Sequence, residues 1–392
     1  MHALYLAWKY IIFNKIRTVT LVACVTLIAV LPLSLELLLN ESERQLLSRA
    51  QTTPTLLGAK GSALDLVMNS LYFDDEVPEL ISMQAVEEVQ ASGLADPIPL
   101  YIRYKARRFP IVGTTIDYMD FRELHLAEGR QLAMLGECVL GANVAETLGL
   151  KPGDSLLSSP ETVFDLAGIY PLKMKVVGVL RRSHTPDDLG VFVDLKTAWV
   201  IEGLVHGHAD VSKVTDDTLI MQRNQNGVVA SPKLLHYNEI TEANIDSFHF
   251  HGDAGLYPLS AVIVIPNDEK SKTILRGRYL DKNARHQIIL PEVVIDGLLE
   301  NIFRIKNVLD AVILIVGLAT ILALLLVFAL TIRLRQREIN TIFKLGCSRM
   351  TIAYLLVNEI LIILTLASLV CLGLLLLVNI YSSDIVRLLF IS

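Results

Sequence analysis

Histidine is the residue type whose spacing first suggests chemistry. His206, His208 and Asp210 recur two residues apart, and His249, His251 and Asp253 repeat the arrangement further along the chain. On an extended strand residues at i and i+2 point to one face, so each pair presents two imidazoles together with a carboxylate near by, a donor set suited to zinc or another borderline metal. The metal-ligand candidates are therefore His206, His208, His249, His251 and Asp253. Exposed loop histidines are the competing reading, because spacing alone does not bring the two pairs together. His184 and His236 belong to the same concentration. Catalytic sets are poorer: Ser183-His184 lies close to Asp187-Asp188, but no nucleophile-elbow pattern accompanies them. No Gly-rich loop ending in Lys-Ser/Thr is present, so the chain is not expected to bind ATP through a P-loop, and no catalytic residue or bound cofactor is assigned.

The elements that must hold such residues follow from composition. The chain has 392 residues, of which 52% are hydrophobic, too apolar for an ordinary soluble protein. Its net charge is -6, with basic residues near the apolar runs and acidic ones mostly between them, which argues against a nucleic-acid binder. Thr20–Leu39, Val308–Ile332 and Thr351–Ile380 are each long enough to cross a hydrocarbon layer about 30 Å thick. Lys9, Lys15 and Arg17 precede the first run without a small-residue cleavage site after it, so an uncleaved anchor is expected. Of the cysteines Cys24, Cys138, Cys347 and Cys371, only Cys138 lies in the large middle region, which leaves no disulfide there.

Cationic loops stay on the cytoplasmic side. Lys9, Lys15 and Arg17, and Arg333, Arg335, Arg337, Lys344 and Arg349, therefore place both basic segments inside and the middle region outside. The expected organisation is an interfacial helix over 1–18, a first span over 19–39, an extracytoplasmic domain with stalk helices over 40–306, a second span over 307–332, a cytoplasmic loop over 333–350, a third span over 351–380, and a tail over 381–392. Strands are expected at Tyr101–Tyr104, Lys175–Leu180, Val191–Val193 and Ala261–Ile265, and short helices at Ala142–Leu150 and Leu195–Ile201. The fold class is an α-helical membrane protein with a large extracytoplasmic α+β domain on helical stalks. Two subdomains are expected, divided near the polar loop Arg223–Gly227.

In the basic loop, Ile339, Ile342 and Phe343 fall at i, i+3 and i+4, away from Arg337, Asn340 and Lys344, which predicts a short amphipathic helix. Gly346 suits the left-handed position after its end, and Ser348 can cap the next helix. Such a helix either lies on anionic lipid or docks in a groove on a soluble partner. Glu359, roughly 12 Å into the third span, is expected either to pair with Arg337 or Lys344 or to act as a hinge contact between loop and bundle.

The order of these segments resembles the FtsX-like permeases of the macrolide-exporter and lipoprotein-release class of ABC transporters. Ala7-Trp-Lys-Tyr10 and Asn14-Lys-Ile-Arg-Thr18 match before the first span, and Arg335-Gln-Arg-Glu338, Lys344-Leu-Gly-Cys-Ser-Arg349 and Glu359 match in the loop and beyond it. In the outer region Glu128-Gly-Arg130, Glu137-Cys-Val-Leu-Gly141, Leu148-Gly-Leu150 with Gly153-Asp154, and Val176-Val-Gly-Val179 resemble the family's periplasmic core domain in the same order. The resemblance implies a non-catalytic permease in the bacterial inner membrane and a periplasmic core domain. It implies two copies of a separate ATPase that carries ATP and magnesium, and a second permease copy. A periplasmic binding or adaptor protein is a further implied partner. The coupling residues implied are Arg337, Glu338, Ile339, Ile342, Phe343, Lys344, Gly346, Ser348 and Glu359. The family is described with four spans, and three are evident here. Two alternatives stand beside this: a metal-transport component using the histidine segment, and a membrane-anchored receptor or scaffold without a motor.

Overall fold

The computed structural model describes residues 2–159, 171–207, 220–224, 227–230, 238–250, 252–280, 285–334, 336–344, 346 and 348–390. They fall into two units: Met1–Leu46 with Gly297–Ser392, and Leu47–Asp296.

The first unit opens with α1 (His2–Phe13) and α2 (Lys15–Gln51), which continues as one helix into the second unit. Asn14 joins α1 to α2 without losing the helical ladder, since its N–H donates to the Tyr10 carbonyl at 3.0 Å and its carbonyl accepts from Thr18 N at 3.1 Å. The second unit adds α3 (Ala63–Tyr72), α4 (Gln84–Ser92), α5 (Ile116–Phe121), α6 (Ala142–Leu148), α7 (Leu195–Glu202) and α8 (Glu269–Tyr279). From there α9 (Pro291–Leu334) leads into the first unit, followed by α10 (Gln336–Lys344) and α11 (Arg349–Phe390). Among the described residues two helices are long and apolar enough to cross a membrane, Lys15–Gln51 and Met350–Ser382, while α9 carries the shorter apolar stretch Asp310–Ala323. Residues 381–390, expected as a tail, continue α11 as helix, because no Gly or Pro interrupts the chain after Gly373. Within the first unit α1 packs on α11, and Ile11, Leu21 and Ile363 bury one another. Thr26 Oγ1 reaches the Ala367 carbonyl at 3.4 Å, tying α2 to α11.

The strands of the second unit are β1 (Thr55–Ala59), β2 (Ile81–Ser82), β3 (Ala95–Ala106), β4 (Phe109–Thr114), β5 (Leu126–Gly129), β6 (Glu137–Leu140), β7 (Ser155–Leu157) and β8 (Lys173–Leu180). They continue as β9 (Val191–Asp194), β10 (Val205–Gly207), β11 (Ile220–Asn224), β12 (Gly227–Ala230), β13 (Phe248–Phe250), β14 (Pro258–Leu259), β15 (Ala261–Pro266) and β16 (His286–Ile289). Ten of them form one mixed sheet in the order β16-β1-β15-β3-β4-β9-β6-β8-β5, with β7 also on β8. The β4–β9 and β6–β8 pairs are parallel and the others antiparallel.

β3 joins the two halves of this sheet. Ala95–Leu100 pairs with β15 and the following half with β4. Pro97 and Pro99 occupy the first half, where one side faces no β4 partner and their missing N–H breaks no ladder. The core lies along the sheet: Leu57, Tyr101, Cys138, Leu140, Val176, Val193, Trp199 and Val264 are buried in one cluster. Since β1, near one end of the sheet order, pairs with β15 and β16 from the end of the domain, its first and last segments share one ladder. The expected division at Arg223–Gly227 falls instead in the β11–β12 hairpin, inside the single unit Leu47–Asp296.

Candidate functional site

The basic loop folds as the sequence predicts. Helix α10 places Ile339 half-buried and Phe343 47% exposed, with Lys344 exposed beside it. Gly346 takes φ +95° and its N–H closes on the Phe343 carbonyl at 3.0 Å, the left-handed stop that favours glycine. Ser348 caps α11: its Oγ accepts from Thr351 N at 3.2 Å, and its carbonyl accepts from Ile352 N at 3.3 Å. The side chains of Arg337, Glu338 and Ile342 lie outside the described residues, as does Cys347.

Glu359 is 3% exposed, and among the described residues it pairs with Arg17 near the start of α2, while the expected pairing with Arg337 falls on a side chain outside the described residues. Arg17 also donates from Nη1 to the Tyr10 hydroxyl at 3.2 Å, with its guanidinium 5.3 Å from the Tyr10 ring centre. The Arg17 pairing has a packing cause: α1 and the start of α2 pack on α11, and Lys344 is exposed. Arg17, read from the sequence only as a topology marker, is thus also a packing partner of α11.

In the histidine segment, β10 and β13 pair with His206 opposite His249. Spacing did not show this register. The His249 side chain is exposed, with Nδ1 at 3.1 Å from the Ser247 carbonyl. Asp253 caps a short 3₁₀ turn by accepting from Gly255 N at 2.9 Å. His208 and His251 lie outside the described residues. Among the described residues no three His, Cys, Asp or Glu side chains stand close enough together to hold a metal.

The acidic pair beside Ser183-His184 is structural. Asp188 accepts from Ser183 N at 2.8 Å, from Ser183 Oγ at 3.1 Å and from His184 N at 2.9 Å. Asp187 is buried against Arg49 and the Tyr118 hydroxyl. Burial opposes its charge, but the attraction and hydrogen bonds of Arg49 outweigh that and hold its carboxyl below the usual carboxylate range. Burial likewise pushes the Tyr118 phenol up to about 12.

The outer-domain motif residues also have physical roles. Glu137 is 4% exposed and closes the loop before β6, accepting from Ala133 N at 2.9 Å, Met134 N at 3.1 Å and the Arg130 guanidinium. Burial pushes its carboxyl up, yet these donors more than compensate and it titrates below its ordinary value. Gly129 has φ +81°, and a Cβ there would stand 2.2 Å from the Val177 carbonyl oxygen. At Gly141 a Cβ would meet the Asp187 carbonyl oxygen at 2.4 Å. Cys138 between them is inert as a nucleophile, since burial and then Glu137 push its thiol up to about 12.

A family model described as the MacB-like periplasmic core domain matches residues 22–226. Among solved structures the chain is similar to the periplasmic region of MacB from Actinobacillus actinomycetemcomitans, at 11% identity over 64% of this chain and 93% of that one, TM-score 0.34. It is also similar to the extracellular domain of the noncanonic ABC-type transporter YknZ from Gram-positive bacteria, at 14% identity over 60% of this chain and 99% of that one, TM-score 0.32. No curated protein matches the sequence.

Proposed function

Because this chain belongs to the MacB-like periplasmic core domain family and is a permease-type component of an ABC transporter, we propose that it relays work from a separate ATPase to its extracytoplasmic domain. The observation that carries this reading is α10, a short amphipathic helix between α9 and α11, with Phe343 47% exposed at its end. An apolar side chain flanked by cations is the form a helix takes to seat in a groove on a partner. In this reading two ATPase subunits close on ATP and magnesium, α10 is displaced, and α9 and α11 tilt as stiff rods in a two-state change. Arg337, Glu338, Ile339, Ile342, Phe343 and Lys344 form the contact surface. Gly346 and Ser348 set where α10 ends and α11 begins, and Glu359 with Arg17 holds α11 to α2. A second permease copy completes the assembly in the bacterial inner membrane, with a binding or adaptor protein outside.

Purification of the intact chain from its host membrane tests this. An ATPase is expected to be retained at a defined ratio, and Phe343→Asp is expected to release it without loss of folded protein. A preparation that never retains an ATPase, or retains it equally with Phe343→Asp, overturns the reading in favour of a receptor or scaffold without a motor.

One observation favours a second reading, a zinc-handling component. Directly opposed residues on antiparallel strands hold their Cβ atoms about 5 Å apart, near enough for two imidazoles to share one ion, and His206 and His249 are so opposed. His208, His251 and Asp253 are the further ligand candidates. Zinc titration of the full chain is expected to show a site that His206→Ala with His249→Ala removes; equal binding by parent and variant sinks this reading.

A further inference from the structure

Arg49 stands in the last turn of α2, inside the second unit, and is 5% exposed. Its guanidinium has four separate partners. Nε donates to the Leu71 carbonyl in the last turn of α3, and Nη1 donates to Asp187 Oδ2 at 2.6 Å. Nη2 donates to Asp187 Oδ1 and to the Tyr118 hydroxyl, each at 2.9 Å, and the group lies 5.5 Å from the Phe73 ring centre. Tyr118, on α5, itself donates to Asp187 Oδ1 at 2.7 Å, and Thr185 Oγ1 donates to Oδ2 at 2.9 Å, so the buried carboxylate is also saturated. A second cation follows the chain out of the helix. Arg122 donates to Thr52 Oγ1 at 3.2 Å and Thr53 Oγ1 at 2.8 Å, just before β1 begins at Thr55.

The position of this cluster is what gives it meaning. A buried ion pair is seldom a cheaper way to fill a core than aliphatic side chains of the same volume, so its presence calls for a role that depends on direction. Arg49 follows Leu46 at i+3 on the buried side of α2, where a leucine would satisfy packing. An aliphatic contact lets a helix end slide or rotate against its neighbours, whereas a fork of N–H donors fixes both its height and its azimuth. The partners belong to three different pieces of the domain: α3 with Phe73, α5, and the loop that enters the central strand β9.

We propose that Arg49 is a positioning residue of the transport cycle, fixing the end of the helix that arrives from the membrane so that its displacement reaches α3, α5 and the loop before β9 together. The proposal rests on the permease reading for its purpose, but not for its test. The full chain, with its four cysteines replaced, is placed in lipid nanodiscs and spin-labelled at the exposed positions Ser48, beside the cluster, and Glu87 on α4. Pulsed dipolar spectroscopy then reads the distribution of the distance between them.

The parent is expected to give a narrow distribution. Arg49→Lys, which keeps the charge and loses the fork, is expected to roughly double its width. The pair Arg49→Met with Asp187→Leu, which removes the buried charges without leaving either one unpartnered, is expected to fold and to broaden likewise. Glu137→Gln supplies the control, since it weakens the same unit at a side chain whose hydrogen-bond partners, Arg130, Ala133 and Met134, lie outside α2. Widths equal to the parent in both Arg49 variants, or equal broadening in Glu137→Gln, overturn the proposal. Retention of an ATPase, scored on the same preparations, decides the permease reading separately.

Discussion

Removing the carboxylate of Glu359 tests the pairing that holds α2 to α11. Its side chain is 4% exposed and that of Arg17 25%, so the pair is screened far less than a surface one. Two unit charges about 4 Å apart at an effective dielectric near 20 attract by about 4 kcal/mol. Breaking a buried pair by deleting one partner costs about 3–5 kcal/mol, because the remaining charge is left desolvated. Glu359→Ala and Arg17→Met are each expected to fall in that range. The double variant is expected to cost less than the sum of the two by about 2–4 kcal/mol, the signature of direct coupling in a mutant cycle. Reversible unfolding of the purified chain in mixed micelles, followed by far-UV circular dichroism, supplies the four free energies. Additive single effects, or singles within about 0.5 kcal/mol of the parent, would refute the direct coupling of Arg17 to Glu359.

Acid should unfold the outer domain through Glu137 and Asp187, whose folded pKa values lie below their ordinary 4.5 and 3.8. A depressed folded pKa contributes stability that is complete above the ordinary value and is lost as pH falls through the folded one. Thermal unfolding of Glu137→Gln is therefore expected to start lower at neutral pH and to lose less than the parent does below about pH 4.5; a parallel acid limb would count against the Glu137 contribution. Gly129→Ala is expected to cost about 1–3 kcal/mol from the left-handed backbone alone, and more from the contact with the Val177 carbonyl. Unfolding in urea at an unchanged midpoint would contradict that geometry. Cys347 is expected to resist a membrane-impermeant maleimide applied outside intact cells and to react after permeabilisation. Labelling in intact cells would place the loop on the wrong side and end the coupling role of α10.

Much of the architecture was legible because it depends on local rules. Apolar runs of span length, cationic flanks and the i, i+3, i+4 pattern of Ile339, Ile342 and Phe343 need only composition and helical period to be read, and Gly346 and Ser348 act on the residues beside them. The strand positions around Tyr101, Val176, Val191 and Ala261 were likewise visible in β-branched runs, and the ordered motifs of the outer region pointed to the MacB-like core domain that residues 22–226 match.

What remained hidden depends on which segments meet. Arg17 was in plain view as a topology marker, and nothing in the sequence singled out Arg49. Glu359 lies 342 residues from Arg17 in sequence and Asp187 lies 138 from Arg49, separations across which periodicity carries no information. The one local hint was a cation on the apolar stripe of α2, which demands a buried partner without naming it. Pairing of His206 with His249 was equally closed to spacing, because register is set by the whole two-stranded ladder. The sequence alone determined the long apolar helices and the short amphipathic helix between two of them, consequences of composition and helical period. Only the tertiary structure decided which charges are partners, because a buried ion finds its counter-ion through the packing of distant elements.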